Sequence, residues 1–103
     1  MRITWSPRAK RKVSEHGEYI AQDNPEASSD WIEGILVEVE RLKDFPEQGR
    51  RVPEAKRADV REIFFQSHRI VYRIESKRIV ILTVRHTRQL FDQKELSIVV
   101  SIL

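Results

Sequence analysis

The segment VREIFFQSHRIVYRIESKRIVILTVRH, residues 60–86, decides the fold of this chain. Residues 60–65 are typical of a strand, residues 69–75 alternate between apolar and polar side chains, and residues 78–86 contain an uninterrupted apolar run. Short strands joined by brief turns predict an antiparallel meander. The apolar run predicts that the last of these strands is central and covered on both faces.

The residues before this segment predict a short strand and two amphipathic helices. Residues 2–5 alternate as a strand does, and Ser6-Pro7 is a helix start in which the serine caps free N–H groups. We expect a first helix from residue 7 to about 23. Asn24 and the proline after it repeat the start signal, so we expect a second helix over residues 25–44, followed by a connecting loop over 47–59.

These elements predict a two-layer α+β domain, because two apolar helix faces need one face of a sheet to cover them. The expected order is an N-terminal strand, a helical hairpin and an antiparallel three-stranded meander. We expect a single domain over residues 1–95. Residues 96–103 are apolar and β-prone, which predicts a C-terminal strand or tail that packs on the domain, extends a sheet edge or is covered by a partner chain.

Composition excludes several classes of protein. The chain has 103 residues, of which 34% are charged, and no cysteine, so disulfides, zinc–thiolate sites and a cysteine nucleophile are ruled out. No apolar segment is long enough to predict a membrane span, and the N-terminus lacks the apolar core of a signal peptide. We therefore expect a cytoplasmic protein.

Charge is unevenly distributed along the chain. The net charge is +3, but residues 1–49 carry a net of −3 and residues 50–103 a net of +6. A basic half indicates an acidic or polyanionic partner, or else a solvated arginine-rich surface, and both interpretations stay open at this point.

The sequence offers no metal or cofactor motif. The three histidines lack ligand spacing and the glycines are scattered, so we expect no metal and no cofactor. His16 lies on a helix stripe and is interpreted as structural, and His68 is interpreted as a solvated turn residue. Tyr72 lies on the apolar side of its strand and is expected in the core.

What remains is a set of arginines near strand ends, which could meet on the open face of the sheet. Arginine binds phosphate with two parallel hydrogen bonds, and histidine transfers protons near neutral pH. RNA cleavage through the 2′-hydroxyl needs a base, an acid and cations at the phosphate. The alternative is that these arginines form ion pairs with carboxylates such as Glu62 or Glu75.

Several segments resemble toxins of the RelE/ParE superfamily. Trp5-Ser6-Pro7-Arg8-Ala9 is similar to their strand-to-helix start, and residues 60–63, 68–74 and 79–88 are similar to their later strands. The resemblance extends to about residue 93. It implies a toxin of a bacterial type II toxin–antitoxin pair with an acidic antitoxin as partner, and leaves open a homodimer or a heterotetramer with that antitoxin.

The superfamily divides by target. RelE-like members cut messenger RNA on the ribosome, and by resemblance Arg69 falls on their phosphate-binding arginine and Arg61 near an RNA-binding position. ParE-like members poison DNA gyrase. The absence of a tyrosine after Tyr72 and the pattern at His86 and Arg88 are more similar to ParE-like members.

We therefore expect a ParE-like gyrase poison, and whether the chain is an enzyme depends on this branch, since a ParE-like member would not be one. The alternatives are a ribosome-dependent mRNA endonuclease and a non-toxic protein that only binds its antitoxin. For a nuclease, the candidate catalytic residues are Arg61, Arg69, Arg85, His86 and Arg88. The candidate target- or phosphate-binding residues are Arg61, Arg69, Arg73, Arg85 and Arg88.

Overall fold

The computed structural model describes residues 1–101, which form one five-stranded sheet with helices on both faces. The strands are β1 (Arg2–Trp5), β2 (Arg50–Arg51), β3 (Val60–Phe65), β4 (His68–Ile74) and β5 (Arg78–His86), in the order β1-β5-β4-β3-β2. β3, β4 and β5 form the predicted antiparallel meander, and β1 pairs parallel to β5. The α+β class and the predicted order of these elements are confirmed.

The helical hairpin consists of α1 (Pro7–Ala21) and α2 (Pro25–Glu40), with a 3₁₀ turn at Arg41–Lys43. The side chains of Ser6 and Asn24 cap the two helices, as predicted, by accepting hydrogen bonds from backbone N–H groups. α1 ends two residues before the expected position. α2 tightens into the 3₁₀ turn at its end, which is common at helix C-termini.

The hairpin covers one face of the sheet, called here the helical face. Apolar residues of α2 and its 3₁₀ turn pack there against alternate strand residues. Its buried members include Trp31, Ile35, Val39, Leu42, Ile63, Ile70, Tyr72, Ile79 and Ile81. Ser28 donates a 2.6 Å hydrogen bond to the carbonyl oxygen of Gly17, which joins the two helices directly.

The C-terminal residues form a third helix, α3 (Gln93–Val100), so the strand predicted for residues 96–103 is wrong over the described part, whereas the predicted packing on the domain is confirmed there. Asp92 caps this helix by accepting a hydrogen bond from the backbone N–H of Glu95. The buried residues of the apolar run are Leu96, Val99 and Val100, which have the spacing of one helix face. A strand would instead bury every second residue. Ile102 and Leu103 lie outside the described residues.

α3 covers the opposite face of the sheet, called here the α3 face. It encloses a second apolar cluster, whose buried members are Val52, Val60, Val71, Val80, Leu82, Phe91, Leu96, Val99 and Val100. The prediction that the central strand is covered on both faces is thereby explained. Within residues 1–101, no helix is both long and apolar enough to cross a membrane.

A bulge in β5 sets the direction of the side chains at the end of that strand. Val71 pairs with Thr83 and Tyr72 pairs with Ile81, so Leu82 has no partner on β4. The extra residue reverses the alternation, since Ile81 and Val84 both belong to the helical face. As a result, Arg85 reaches the α3 face and His86 reaches the helical face.

The predicted loop over residues 47–59 contains the short strand β2, which pairs with β3. Tyr72 is buried as expected, and its hydroxyl anchors this segment by donating to the carbonyl of Pro46 at 2.7 Å and accepting from the N–H of Gly49 at 3.0 Å. A Cβ atom on Gly49 would lie 2.5 Å from the carbonyl oxygen of Glu62, so the close approach requires glycine.

Candidate functional site: a paired arginine face and a histidine cleft

The predicted arginines do not share one open face. Strand alternation places Arg69, Arg73 and Arg85 on the α3 face, where their partners lie, and places Arg61 on the helical face. Arg88 follows β5 in an exposed turn. The face that the sequence suggested to be open is covered, because the C-terminal residues form a helix that packs on it.

Arg69 lies at the centre of an ion-pair network on the α3 face. Its Nε donates to Glu62 Oε1 at 2.6 Å, and its two terminal nitrogens donate to Glu54 at 3.0 and 3.1 Å. The side chain of Arg69 is only 3% exposed and that of Glu62 is fully buried. The hydrogen bonds from Arg69 lower the pKa of Glu54 to about 2. The alternative that arginines on the sheet pair with Glu62 is confirmed.

The other two arginines of this face connect the sheet to α3. Arg85 forms an ion pair with Glu95, which lowers the pKa of that carboxyl, and its guanidinium lies 4.1 Å from the ring centre of Phe91. Arg73 forms an ion pair with Glu75, as expected, and donates to the backbone carbonyl of Val100. These contacts hold α3 on the sheet.

Arg61 and Arg88 have different surroundings. Arg61 donates to the carbonyl of Gly49 at 2.9 Å, and its Nε is buried without a hydrogen-bond partner among the described residues. Arg88 is exposed, and within residues 1–101 its guanidinium forms no ion pair. Next to it, Leu90 is 74% exposed. Of the five predicted arginines, Arg88 is therefore the most accessible to a partner.

The three histidines meet at one end of the helical face. The ring centre of His68 lies 4.3 Å from that of His16 and 5.6 Å from that of His86, and Trp31 packs against both His16 and His68. His68 is 8% exposed, so the prediction of a solvated turn residue is wrong: it opens β4 and lies under the hairpin. Sequence spacing does not indicate this cluster, because its members come from α1, β4 and β5.

A cleft of about 470 Å³ opens beside these rings. It is lined by Lys12, Glu15, His16, Tyr19, His68, Val84, Arg85, His86 and Gln89. Burial, together with the neighbouring imidazoles, lowers the pKa of His68 to about 4, so this ring is neutral at pH 7. Among the described residues, no group of three or more potential ligands is placed to hold a metal ion.

Comparison with known proteins identifies the family. The family model described as "ParE toxin of type II toxin-antitoxin system, parDE" matches residues 3–91, which is most of the chain. This chain belongs to the ParE toxin family. The predicted membership of the RelE/ParE superfamily is confirmed, and a ParE toxin has an antitoxin as its partner.

One relative supports this assignment, and one solved structure has the same fold. "Putative toxin Y4kP" of Sinorhizobium fredii (strain NBRC 101917 / NGR234) is 35% identical over 94 residues, which span 89% of this ParE chain and 94% of that protein. A structure titled "Chromosomal ParDE TA system from P. aeruginosa" matches with a TM-score of 0.70 over 84% of this chain and 95% of that one, at 21% identity. The latter likeness establishes the fold.

Proposed function

We propose that this toxin arrests bacterial growth by binding DNA gyrase and trapping its cleaved DNA, as ParE-like members of the superfamily do. The observation that carries the proposal is the state of Arg69. The arginine that a RelE-like nuclease would use at the phosphate is buried and already bound by Glu62 and Glu54. The proposed site of action is the cytoplasm, where gyrase and its DNA are found.

The ion-pair network opposes phosphate binding at Arg69. A phosphate would have to displace at least one carboxylate, and the displaced anion would stay beside it on the same face. Glu62 is fully buried and Glu54 is largely buried, so neither charge is well screened by water. The repulsion between phosphate and these carboxylates therefore disfavours messenger RNA cleavage through Arg69.

The last tyrosine of the chain is not available to a substrate either. Tyr72 is fully buried on the helical face, and its hydroxyl is engaged by Pro46 and Gly49. It cannot reach a substrate phosphate on the other face. Of the five candidate arginines, the four other than Arg88 thus make contacts that support the fold.

We assign the contact with the target to the exposed turn after β5. Arg88 supplies a positive charge there and Leu90 an exposed apolar side chain. Arginine is one of the residue types enriched at energetically important positions of protein interfaces. Arg61, Arg69, Arg73 and Arg85 then act as structural residues in this proposal.

The test is a pair of parallel assays with purified toxin: gyrase-catalysed supercoiling with detection of cleaved DNA, and primer extension on a translated message. We expect inhibited supercoiling and cleaved DNA with an intact message. Arg88→Gln should weaken gyrase inhibition at least tenfold. Arg51→Gln, an exposed arginine on β2 that forms no ion pair among the described residues, is the matched control and should act as the native chain does.

Either of two results would overturn the proposal. Messages cut at the ribosomal A site, with supercoiling unaffected, would establish the RelE-like endonuclease instead. Normal growth on induction, combined with a tight antitoxin complex, would establish a non-toxic antitoxin-binding protein.

A further inference from the structure

The histidine cleft brings together all three histidines of the chain. His16 comes from α1, and His68 and His86 are directly paired on β4 and β5. Trp31 of α2 closes the inner side of the group. The contact between the helical hairpin and the ends of these strands therefore runs through imidazole rings.

The surroundings suit neutral imidazoles and oppose charged ones. His68 Nδ1 is buried without a hydrogen-bond partner among the described residues, and so is the indole nitrogen of Trp31. Protonation would add a second buried N–H donor where no acceptor is in reach. The backbone N–H of Arg88 donates to His86 Nδ1, so this nitrogen must also stay unprotonated to keep its bond.

The charged groups around the cleft do little to compensate. From α1 the cleft receives Lys12 and Glu15, and from β5 it receives Arg85, which is already bound to Glu95. Gln89 adds an amide and Tyr19 a phenol, and α2 contributes the indole of Trp31. Glu15 is the only carboxylate in the lining and it is exposed. Protonated histidines would therefore face one another and Lys12 with a single screened counter-charge.

We propose that the histidine cleft is a pH-sensitive switch, which holds the hairpin on the ends of β4 and β5 when its rings are neutral and loosens that contact when they are protonated. The cleft borders the turn assigned to gyrase, since Gln89 lines it and the backbone N–H of Arg88 donates to His86 Nδ1. The inference does not depend on the target of the toxin.

The direction and size of the effect follow from proton linkage. Burial and neighbouring imidazoles lower the pKa of His68 from 6.5 to about 4, so the unfolded chain takes up this proton first as the pH falls. Stability is therefore complete above pH 6.5 and falls as the pH drops toward 4. His68 alone should reduce the folding equilibrium constant about thirtyfold between pH 7.5 and pH 5.

The experiment measures urea unfolding of the purified chain at pH 7.5, 6 and 5, with tryptophan fluorescence as the signal, and the titration of the three imidazoles by NMR. We expect the thirtyfold loss and a His68 resonance that titrates far below the ordinary histidine pKa. The carboxylates have their transitions at lower pH, so they contribute little in this window.

Two variants separate the switch from general acid sensitivity. His68→Phe keeps an aromatic ring against Trp31 but cannot take a proton, so most of the pH dependence should disappear. Glu15→Gln removes the only carboxylate of the lining and should make the loss of stability with falling pH steeper. If His68→Phe does not fold, the NMR titration of the native chain decides. Stability that changes less than twofold between pH 7.5 and 5, equal pH dependence in His68→Phe, or three histidines titrating near 6.5 would each overturn the proposal.

Discussion

Arg69 on β4 and Glu62 on β3 form an ion pair of 2.6 Å between Nε and Oε1, with 3% and 0% of their side chains exposed. Glu62 also accepts a 2.8 Å hydrogen bond from Arg50 Nε through its second oxygen. Both carboxylate oxygens of Glu62 are thus occupied, and its side chain is shielded from solvent. The pair is stable only as a unit, because removal of one partner leaves the other charged and buried.

Glu62→Gln should destabilise the fold by about 3 kcal/mol, since it removes the buried charge opposite Arg69. The measurement is the free energy of unfolding in urea at pH 7.5. Asp59→Asn is the matched control, because Asp59 pairs with Arg57 on the surface, with side chains 39% and 48% exposed. It should cost at most about 1 kcal/mol. Equal losses in the two variants would contradict the proposed importance of burial.

Glu54 should contribute to stability only above its folded pKa. Hydrogen bonds from Arg69 lower that pKa from 4.5 to about 2, so the unfolded chain is protonated first and stability is lost as the pH falls from 4.5 toward 2. The loss attributable to this group is at most about 3 kcal/mol. Glu54→Gln should flatten the acid limb of a stability–pH curve measured from pH 5 to 2. An unchanged limb would contradict the ion pair.

Two glycines inside the hairpin helices should respond differently to alanine. A Cβ at Gly34 would lie 2.2 Å from Cζ of the Phe65 ring. One at Gly17 would lie 2.9 Å from Cδ1, the flexible end of Ile32, and 3.5 Å from Ser28 Oγ. Alanine gains helix propensity of about 1 kcal/mol at both positions. Gly17→Ala should therefore be near neutral, and Gly34→Ala should cost about 1–3 kcal/mol from overpacking. Thermal unfolding of the two variants measures the difference, and a more stable Gly34→Ala would contradict it.

α3 should stabilise the fold through one side of the helix only. Leu96 is 4% exposed in the apolar cluster of the α3 face, so Leu96→Ala should cost about 2–4 kcal/mol. Ile98 is 51% exposed, and Ile98→Ala should change stability by less than about 0.5 kcal/mol. Urea unfolding measures both. Two equally harmless substitutions would mean that α3 does not pack on the sheet in solution.

The strands and helix starts could be predicted because their signals are local. β1, β3 and β5 have the predicted bounds, and Ser6 and Asn24 cap the helices that they were expected to start. α3 was missed because its residues have high β-propensity. A helix signal was present nevertheless, since Asp92 and the acidic Glu95 three residues later form the start of a capped helix.

The candidate site depended on long-range geometry that the sequence does not contain. Period-two alternation places neighbouring residues on opposite faces, but it could not reveal the unpaired Leu82 that reverses the pattern before Arg85 and His86. It also could not reveal that a helix covers the arginines or that three distant histidines meet. The pairing of Arg69 with Glu62 could be predicted from the sequence as an ion pair between neighbouring strands. Of the two alternatives, ion pairs or an open phosphate-binding face, it was the correct one.

The bulge at Leu82 has a consequence for the comparison of ParE sequences. The extra residue reverses which positions face each side of the sheet beyond it. In a relative that lacks the bulge, each residue aligned to this part of β5 would therefore face the opposite side of the sheet. An alignment gap shifted by one position would then equate a histidine of the cleft with an arginine of the ion-pair network. Functional residues in this part of the chain are better assigned by the face of the sheet that they reach than by their position in a sequence alignment.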